Sequence, residues 1–300
     1  MIRVGVAGVG VMGKNHARVY SKIENCQLVG VADIDFDKAK EVAQLYGTQA
    51  YRSYEELLGK VDAVSIALPT SLHKEAALKF IERGVHCLVE KPIASSLEDA
   101  KEMVEAAERY RVKLMVGHIE RFNPAVRKLK EIVDSGKLGK LLLLSARRVG
   151  PLAPRVIDVG VIVDLATHDI DVVRYLTGKE PIKVYSKYGS IKHPKEDHAI
   201  LLLDLGDVAA SIEVNWFTPH KVRTLVATGT EAIAYLNYIE QELEVYNAEW
   251  RMIPKIEKCE PLEIELRHFI ECVEKDLRPL VDGYEGLKTL EVALKSLSPV

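Results

Sequence analysis

Four cysteines are all that the 300 residues hold, at positions 26, 87, 259 and 272. They show no Cys-x-x-Cys spacing, so neither a zinc site nor a disulfide framework is expected; buried free thiols in a reducing cytoplasm are. Long apolar runs are missing as well. None approaches the roughly 20 residues needed to span a bilayer, which argues against a membrane helix. Arg3 and the apolar stretch after it look superficially like a signal peptide. The glycines at 5, 8, 10 and 13, and Lys14, His16 and Arg18 just beyond, speak against one. Charge of one sign is also scarce. The net charge is −3, with acidic and basic residues interspersed, so no nucleic acid or other polyanion is an expected partner.

What remains describes a soluble globular chain: 48% of the residues are hydrophobic and the mean hydropathy is close to zero. The length exceeds one ordinary core, so two domains are expected, residues 1–120 and 121–300.

The most informative stretch comes first. Val4, Val6 and Ala7 form a buried-strand run that breaks at Gly8-Val9-Gly10-Val11-Met12-Gly13 and continues as a helical pattern. Strand, tight turn and helix in that order suit a dinucleotide. Gly8 takes the angles of the turn, Gly10 leaves room for a pyrophosphate, and Gly13 lets helix and strand approach. The phosphates then sit over the unpaired amides of the helix N-terminus. A second strand, 27–32, ends in Asp33, about 20 residues past Gly13, where a carboxylate accepts hydrogen bonds from the adenosine ribose. No arginine follows directly to pair a 2′-phosphate, and the carboxylate repels one, so NAD is favoured over NADP.

Further strands alternate with helices. One over 61–68 ends at Pro69-Thr70, near His73, and another over 86–89 ends in Glu90-Lys91-Pro92. Both endings fall at the carboxyl edge of a parallel sheet, where open α/β folds bind ligands. Pro69, Thr70, His73, Glu90 and Lys91 therefore join the glycine loop and Asp33 as expected cofactor-binding residues. Lys91, a charge at a strand end facing that cleft, is also a candidate catalytic group. The alternation predicts an α/β fold with a doubly wound parallel sheet, a Rossmann domain.

The pattern changes after a helix over 124–135. Strands are predicted at 141–149, 182–191, 199–205, 208–216, 223–228, 232–238 and 241–246, with turn residues between them: an α+β domain with an open, largely antiparallel sheet. Val184, Leu201, Leu203, Ile212, Val214 and Val226 are too many apolar residues for a bare face in water, so self-association through this sheet is expected. One helix interrupts, over 163–176. Its Asp164 and His168 are four apart and share a face, where the carboxylate can orient an imidazole or a lysine. Two possible ligands without a third make a metal site a poor alternative. Arg147, Arg148 and Arg155 flank a proline- and glycine-punctuated loop and suit a phosphate or carboxylate. Two closing helices, 261–275 and 283–298, follow, the last expected to pack back on the first domain.

The glycine loop, the Glu90-Lys91-Pro92 tripeptide and Asp164-x-x-x-His168-x-x-Asp171, in this order over essentially the whole chain, resemble the Gfo/Idh/MocA family of glucose–fructose oxidoreductase and inositol dehydrogenase relatives. Within it, the run Gly117 to Pro124, the loop Val149-Gly150-Pro151 and the run Asp164 to Asp171 are similar to members that oxidise UDP-N-acetylglucosamine at C3. Ala166 departs from the glycine of many members. The resemblance implies an NAD-dependent oxidoreductase. His168 would serve as general base, Lys91 would hold the sugar oxygen, and Asp164 would orient one of them. Arg148 or Arg155 would meet the nucleotide diphosphate, with Arg121 and Asn123 also at the substrate. A dehydrogenase of a free sugar or inositol, and a non-catalytic nucleotide-binding regulator, are the rival readings.

Overall fold

The computed structural model describes residues 1–152 and 159–298. By their contacts the residues group into two units, Met1–His118 with Leu262–Lys288, and Ile119–Pro261 with Thr289–Val300. Residues 262–288, which the sequence placed in the second domain, group with the first. Among the described residues no helix is long and apolar enough to cross a membrane.

In the first unit, β1 (Ile2–Ala7), β2 (Cys26–Ala32), β3 (Gln49–Tyr51), β4 (Ala63–Ile66), β5 (His86–Val89) and β6 (Leu114–Val116) form one parallel sheet in the order β3-β2-β1-β4-β5-β6. The three-residue β3 forms one edge of the sheet. Val4 and Val6 of β1 and all of β4 are buried, as a sheet covered on both faces requires. Helices α1 (Val11–Tyr20), α2 (Phe36–Tyr46), α3 (His73–Ile81) and α4 (Leu97–Tyr110) provide the cover. Local chemistry sets their ends. Asp35 caps α2 by accepting from the Lys38 amide at 3.3 Å, and Ser96 caps α4 by accepting from Asp99 at 3.1 Å. Strand β1 pairs with β2 on one side and β4 on the other, so the order of the chain reverses at its carboxyl end. That reversal is where such sheets bind ligands.

The end of the chain completes this unit. Helix α7 (Pro261–Glu274) buries Leu266, Phe269 and Ile270. The Val116 amide of β6 donates to the Val281 carbonyl at 2.9 Å, and Asn25 donates to Glu274 at 2.8 Å. The division between the units falls inside α8 (Gly283–Lys295).

The second unit holds α5 (Pro124–Asp134), β7 (Leu141–Val149) and α6 (Thr167–Thr177). Seven further strands follow: β8 (Lys183–Gly189), β9 (His198–Asp204), β10 (Ala209–Asn215), β11 (Val222–Gly229), β12 (Ile233–Asn237), β13 (Glu242–Tyr246) and β14 (Arg251–Met252). The sheet order is β14-β13-β12-β11-β7-β10-β9-β8, antiparallel throughout except for the β7–β10 pair. The seven strands read from the sequence are all present; the two-residue β14 was too short to read.

One expectation about this sheet inverts. Leu201, Leu203, Ile212 and Val214, expected on an uncovered face, are buried with Leu144, Ala146, Leu225 and Ala227 in the core that includes α5 and α6. Val184 packs against the same core. The other face carries Leu143, Tyr185, Ile200, Leu202 and Tyr235, all exposed. Of the residues named beforehand only Val226 belongs with them, paired with Tyr235 and Ser145. Side chains alternate with period two, so choosing the wrong parity exchanges the faces.

Candidate active site

Gly8 sits at φ +89°, and a Cβ there would lie 2.6 Å from the Ala67 carbonyl oxygen, so only glycine fits. At Gly13 the space is tighter still: a Cβ would meet the Gly8 oxygen at 1.8 Å. Gly10, between them, caps α1 without a side-chain bond, and a Cβ there meets nothing within 4 Å. Helix α1 begins at Val11 and has no acidic residue in its first turn, so the positive end of its dipole lies beside Gly10 unopposed by a carboxylate of its own. Asp33 holds the loop in place. One carboxylate oxygen accepts from the Val9 amide at 2.8 Å and the other from Asp35 at 2.9 Å. Each oxygen keeps a lone pair for a ribose hydroxyl. The open space at Gly10, the helix terminus and this carboxylate fit NAD.

The neighbouring strand ends are braced by two histidines. His73 is 1% exposed, with Nδ1 at 2.9 Å from the Pro92 carbonyl and Nε2 at 2.9 Å from the Leu68 carbonyl. It ties the Pro69–Thr70 turn to the Glu90-Lys91-Pro92 segment. With both nitrogens at backbone carbonyls it offers no ring nitrogen to a cofactor, and any part it plays there is to hold the two strand ends in place. Burial also pushes its pKa down, against the partial support of those carbonyls. His16, fully buried on α1, donates from Nε2 to Glu90 at 2.8 Å. Burial pushes the Glu90 carboxyl up, but the bond from His16, with Lys91 next to it, outweighs it. Glu90 is held below the usual carboxylate range and is an anion at neutral pH. Nothing in the sequence marked His16 beyond its place on α1. Lys91 follows Glu90, and the Lys91–Pro92 peptide is cis.

In the second unit, residues Ile162–Ala166 form a π-helical turn leading into α6, where the sequence predicted one continuous α-helix. Such wide turns recur at functional sites. Asp164 lies in the turn and His168 in the first turn of α6. The start of the turn is fixed by Glu196, unmarked by the sequence. Its carbonyl accepts from Val161 at 2.8 Å and its carboxylate from Ile162 at 3.2 Å. The next residue, Asp197, is 1% exposed and gathers the amides of Ile191, Lys192 and His193 and the ring of His198. Burial pushes its carboxyl up, but those donors prevail and hold it at about 2. A carboxylate this well anchored keeps the 190–197 loop, and Glu196 with it, in one arrangement.

Three expected substrate residues turn out to be structural. Arg148 is 1% exposed; it donates to Asp169 at 2.7 and 3.3 Å and to Glu120 at 2.9 Å. Arg121, also buried, grips Asp171 with two bonds of 2.8 and 2.7 Å. Asn123 caps α5 by accepting from Ala125 and donates to Glu120 and the Tyr238 carbonyl. Their polar groups are spent on buried partners, and removing one member of such a pair costs about 3–5 kcal/mol. Arg155 lies outside the described residues.

Residues 2–118 match the Gfo/Idh/MocA oxidoreductase family model with its NAD-binding Rossmann fold, and residues 126–235 match the Gfo/Idh/MocA C-terminal domain. The UDP-N-acetylglucosamine 3-dehydrogenase of Acidithiobacillus ferrooxidans is 32% identical, over 98% of this chain and 96% of that protein. Its solved structure superposes with a TM-score of 0.92 over the same shares of the two chains. The scyllo-inositol 2-dehydrogenase (NAD(+)) of Bacillus subtilis is 30% identical, over 98% of this chain and 92% of that protein. The chain belongs to the Gfo/Idh/MocA family of NAD-binding oxidoreductases, the sugar and inositol dehydrogenases.

Proposed function

We propose that this enzyme oxidises the C3 hydroxyl of UDP-N-acetylglucosamine to a ketone. The observation that carries the reading is the end-to-end similarity to a UDP-N-acetylglucosamine 3-dehydrogenase. The glycine loop and Asp33 would hold NAD, which would supply the hydride acceptor. The protein's own groups handle the proton and the oxygen. His168 takes the hydroxyl proton as general base. Lys91 donates a charge-assisted hydrogen bond to the oxygen as negative charge develops on it. Asp164 orients the reacting imidazole or ammonium. Proton and hydride leave the same alcohol, so the products are the 3-keto sugar, NADH and one proton.

The test is to incubate the enzyme with NAD and, separately, UDP-N-acetylglucosamine, myo-inositol, scyllo-inositol and glucose, following NADH absorbance. The highest kcat/KM is expected for the nucleotide sugar. A higher value for either inositol would replace this reading with an inositol dehydrogenase, which the 30% identity to the Bacillus subtilis enzyme keeps as the second reading. Two accompaniments belong to the proposal. Cys26, Cys87 and Cys272 are buried free thiols, while Cys259, expected to be buried as well, is exposed; a reducing cytoplasm stays part of the proposal. The exposed face bearing Leu143, Ile200, Leu202 and Tyr235 fits association with a second copy of the chain. Light scattering at micromolar concentration that returns the mass of a single chain removes the association.

A further inference from the structure

Strand β11 places Arg223 on the same face as Leu225 and Ala227, whose side chains lie in the core. The β7 residue in register with it is Arg148, on the same face. Two guanidinium groups side by side repel each other, and among the described residues only one of them is answered. Arg148 has Asp169 and Glu120. Arg223 is half-buried, and among the described residues no hydrogen bond or ion pair engages its side chain. A guanidinium has five donors in a rigid fork and does not give up its proton, so this one is a charged, preorganised donor set, unused among the described residues. Its surroundings say where it lies. Burial and Arg148 lower its pKa, while Glu120, Asp169 and Asp164 are near enough to act in the opposite direction. Asp164 is the carboxylate of the π-turn, so Arg223 belongs to the neighbourhood of the candidate active site.

We propose that Arg223 receives a phosphate oxyanion of the substrate, the part that the family resemblance gave to Arg148 or Arg155. This rests on the proposed function only in requiring a phosphorylated substrate, whether the phosphate is the diphosphate of a nucleotide sugar or the monoester of a sugar phosphate. A purely structural role would be to balance the two carboxylates that share Arg148, which requires no ligand.

The experiment compares wild type, Arg223→Gln and Arg223→Lys in two measurements: steady-state kinetics with UDP-N-acetylglucosamine and glucose 6-phosphate, and calorimetric titration with UDP. Loss of a charge-assisted bond is expected to raise the KM of Arg223→Gln for the phosphorylated substrate by about 10- to 100-fold. Change in kcat is much smaller, the KM for NAD stays put, UDP binding weakens in parallel, and Arg223→Lys falls in between. An unchanged KM and unchanged UDP affinity in Arg223→Gln overturns the proposal, and a lowered melting temperature alongside them assigns the balancing role. Should Arg223→Gln not fold, Arg223→Lys decides: wild-type KM and UDP affinity in that variant, despite the lost fork geometry, overturn the proposal. Failure of the two readings can be told apart. Wild-type turnover of glucose 6-phosphate alone removes the nucleotide-sugar reading and leaves Arg223 to be judged on the sugar phosphate. Wild-type turnover of UDP-N-acetylglucosamine with an indifferent Arg223→Gln removes the Arg223 proposal alone. A wild type that neither turns over nor binds any of these compounds removes both.

Discussion

Lys91→Ala and His168→Ala are each expected to lower kcat by about two to four orders of magnitude, the range lost when a general base or an oxyanion-stabilising donor is removed. The affinity for NAD, measured by titration without substrate, should stay close to wild type, since the glycine loop and Asp33 are untouched. The two variants should differ in their dependence on pH. A general base imposes a rise of kcat/KM with pH as it loses its proton, and that limb should vanish from the residual activity of His168→Ala while surviving in Lys91→Ala. Wild-type turnover in either variant removes that residue from the mechanism. Retention of the limb in His168→Ala assigns the base elsewhere, with Asp164 next in line.

The second large effect separates two glycines of one loop. At Gly10 the backbone is extended, with φ −61° and ψ −164°, which any residue adopts, and an added Cβ meets nothing within 4 Å. Gly10→Val should therefore leave the melting temperature almost unchanged, because exposed substitutions of this kind stay within about 0.5 kcal/mol. Its side chain fills the approach to the helix N-terminus, so NAD binding should weaken by more than tenfold, about 1.4 kcal/mol. At Gly13 the order of effects reverses. A methyl group 1.8 Å from the Gly8 oxygen has only backbone to displace, so helix α1 must move off β1. Gly13→Ala is expected to cost about 3 kcal/mol or more in stability, at the upper end of what overpacking costs. Thermal melts with and without NAD distinguish the cases. Wild-type NAD affinity in Gly10→Val would show that the pyrophosphate does not pass over this loop.

The Rossmann half was legible because its signals are local and mutually consistent: a strand, three glycines, a helix and a carboxylate at the next strand end. The strands of the second unit were legible one by one, since alternation and turn residues are local as well. Which face of that sheet is covered was not. Parity decides it, and parity depends on the partner strand rather than on the strand itself. The same limit explains the arginines. Arg148 looks like a substrate residue while only its loop is known, and like a structural one once Asp169 and Glu120 are seen across 21 and 28 residues of chain. Arg223 carried one readable sign, its shared parity with Leu225 and Ala227. His73 was read by its place near a strand end, and its two carbonyl partners could not be read at all. The π-turn left no mark, because the same apolar spacing serves an α-helix and a helix with one wide turn.

The backbone bond from Val116 to Val281, with α7 packed into the nucleotide-binding unit, has a consequence for synthesis. A ribosome that has released the first 118 residues has not yet made the segment that finishes the unit. Helix α7 emerges only after the whole of the second sheet, so the portion translated first is completed almost last. Emergence from the tunnel and closure of the fold therefore run in opposite directions along this chain.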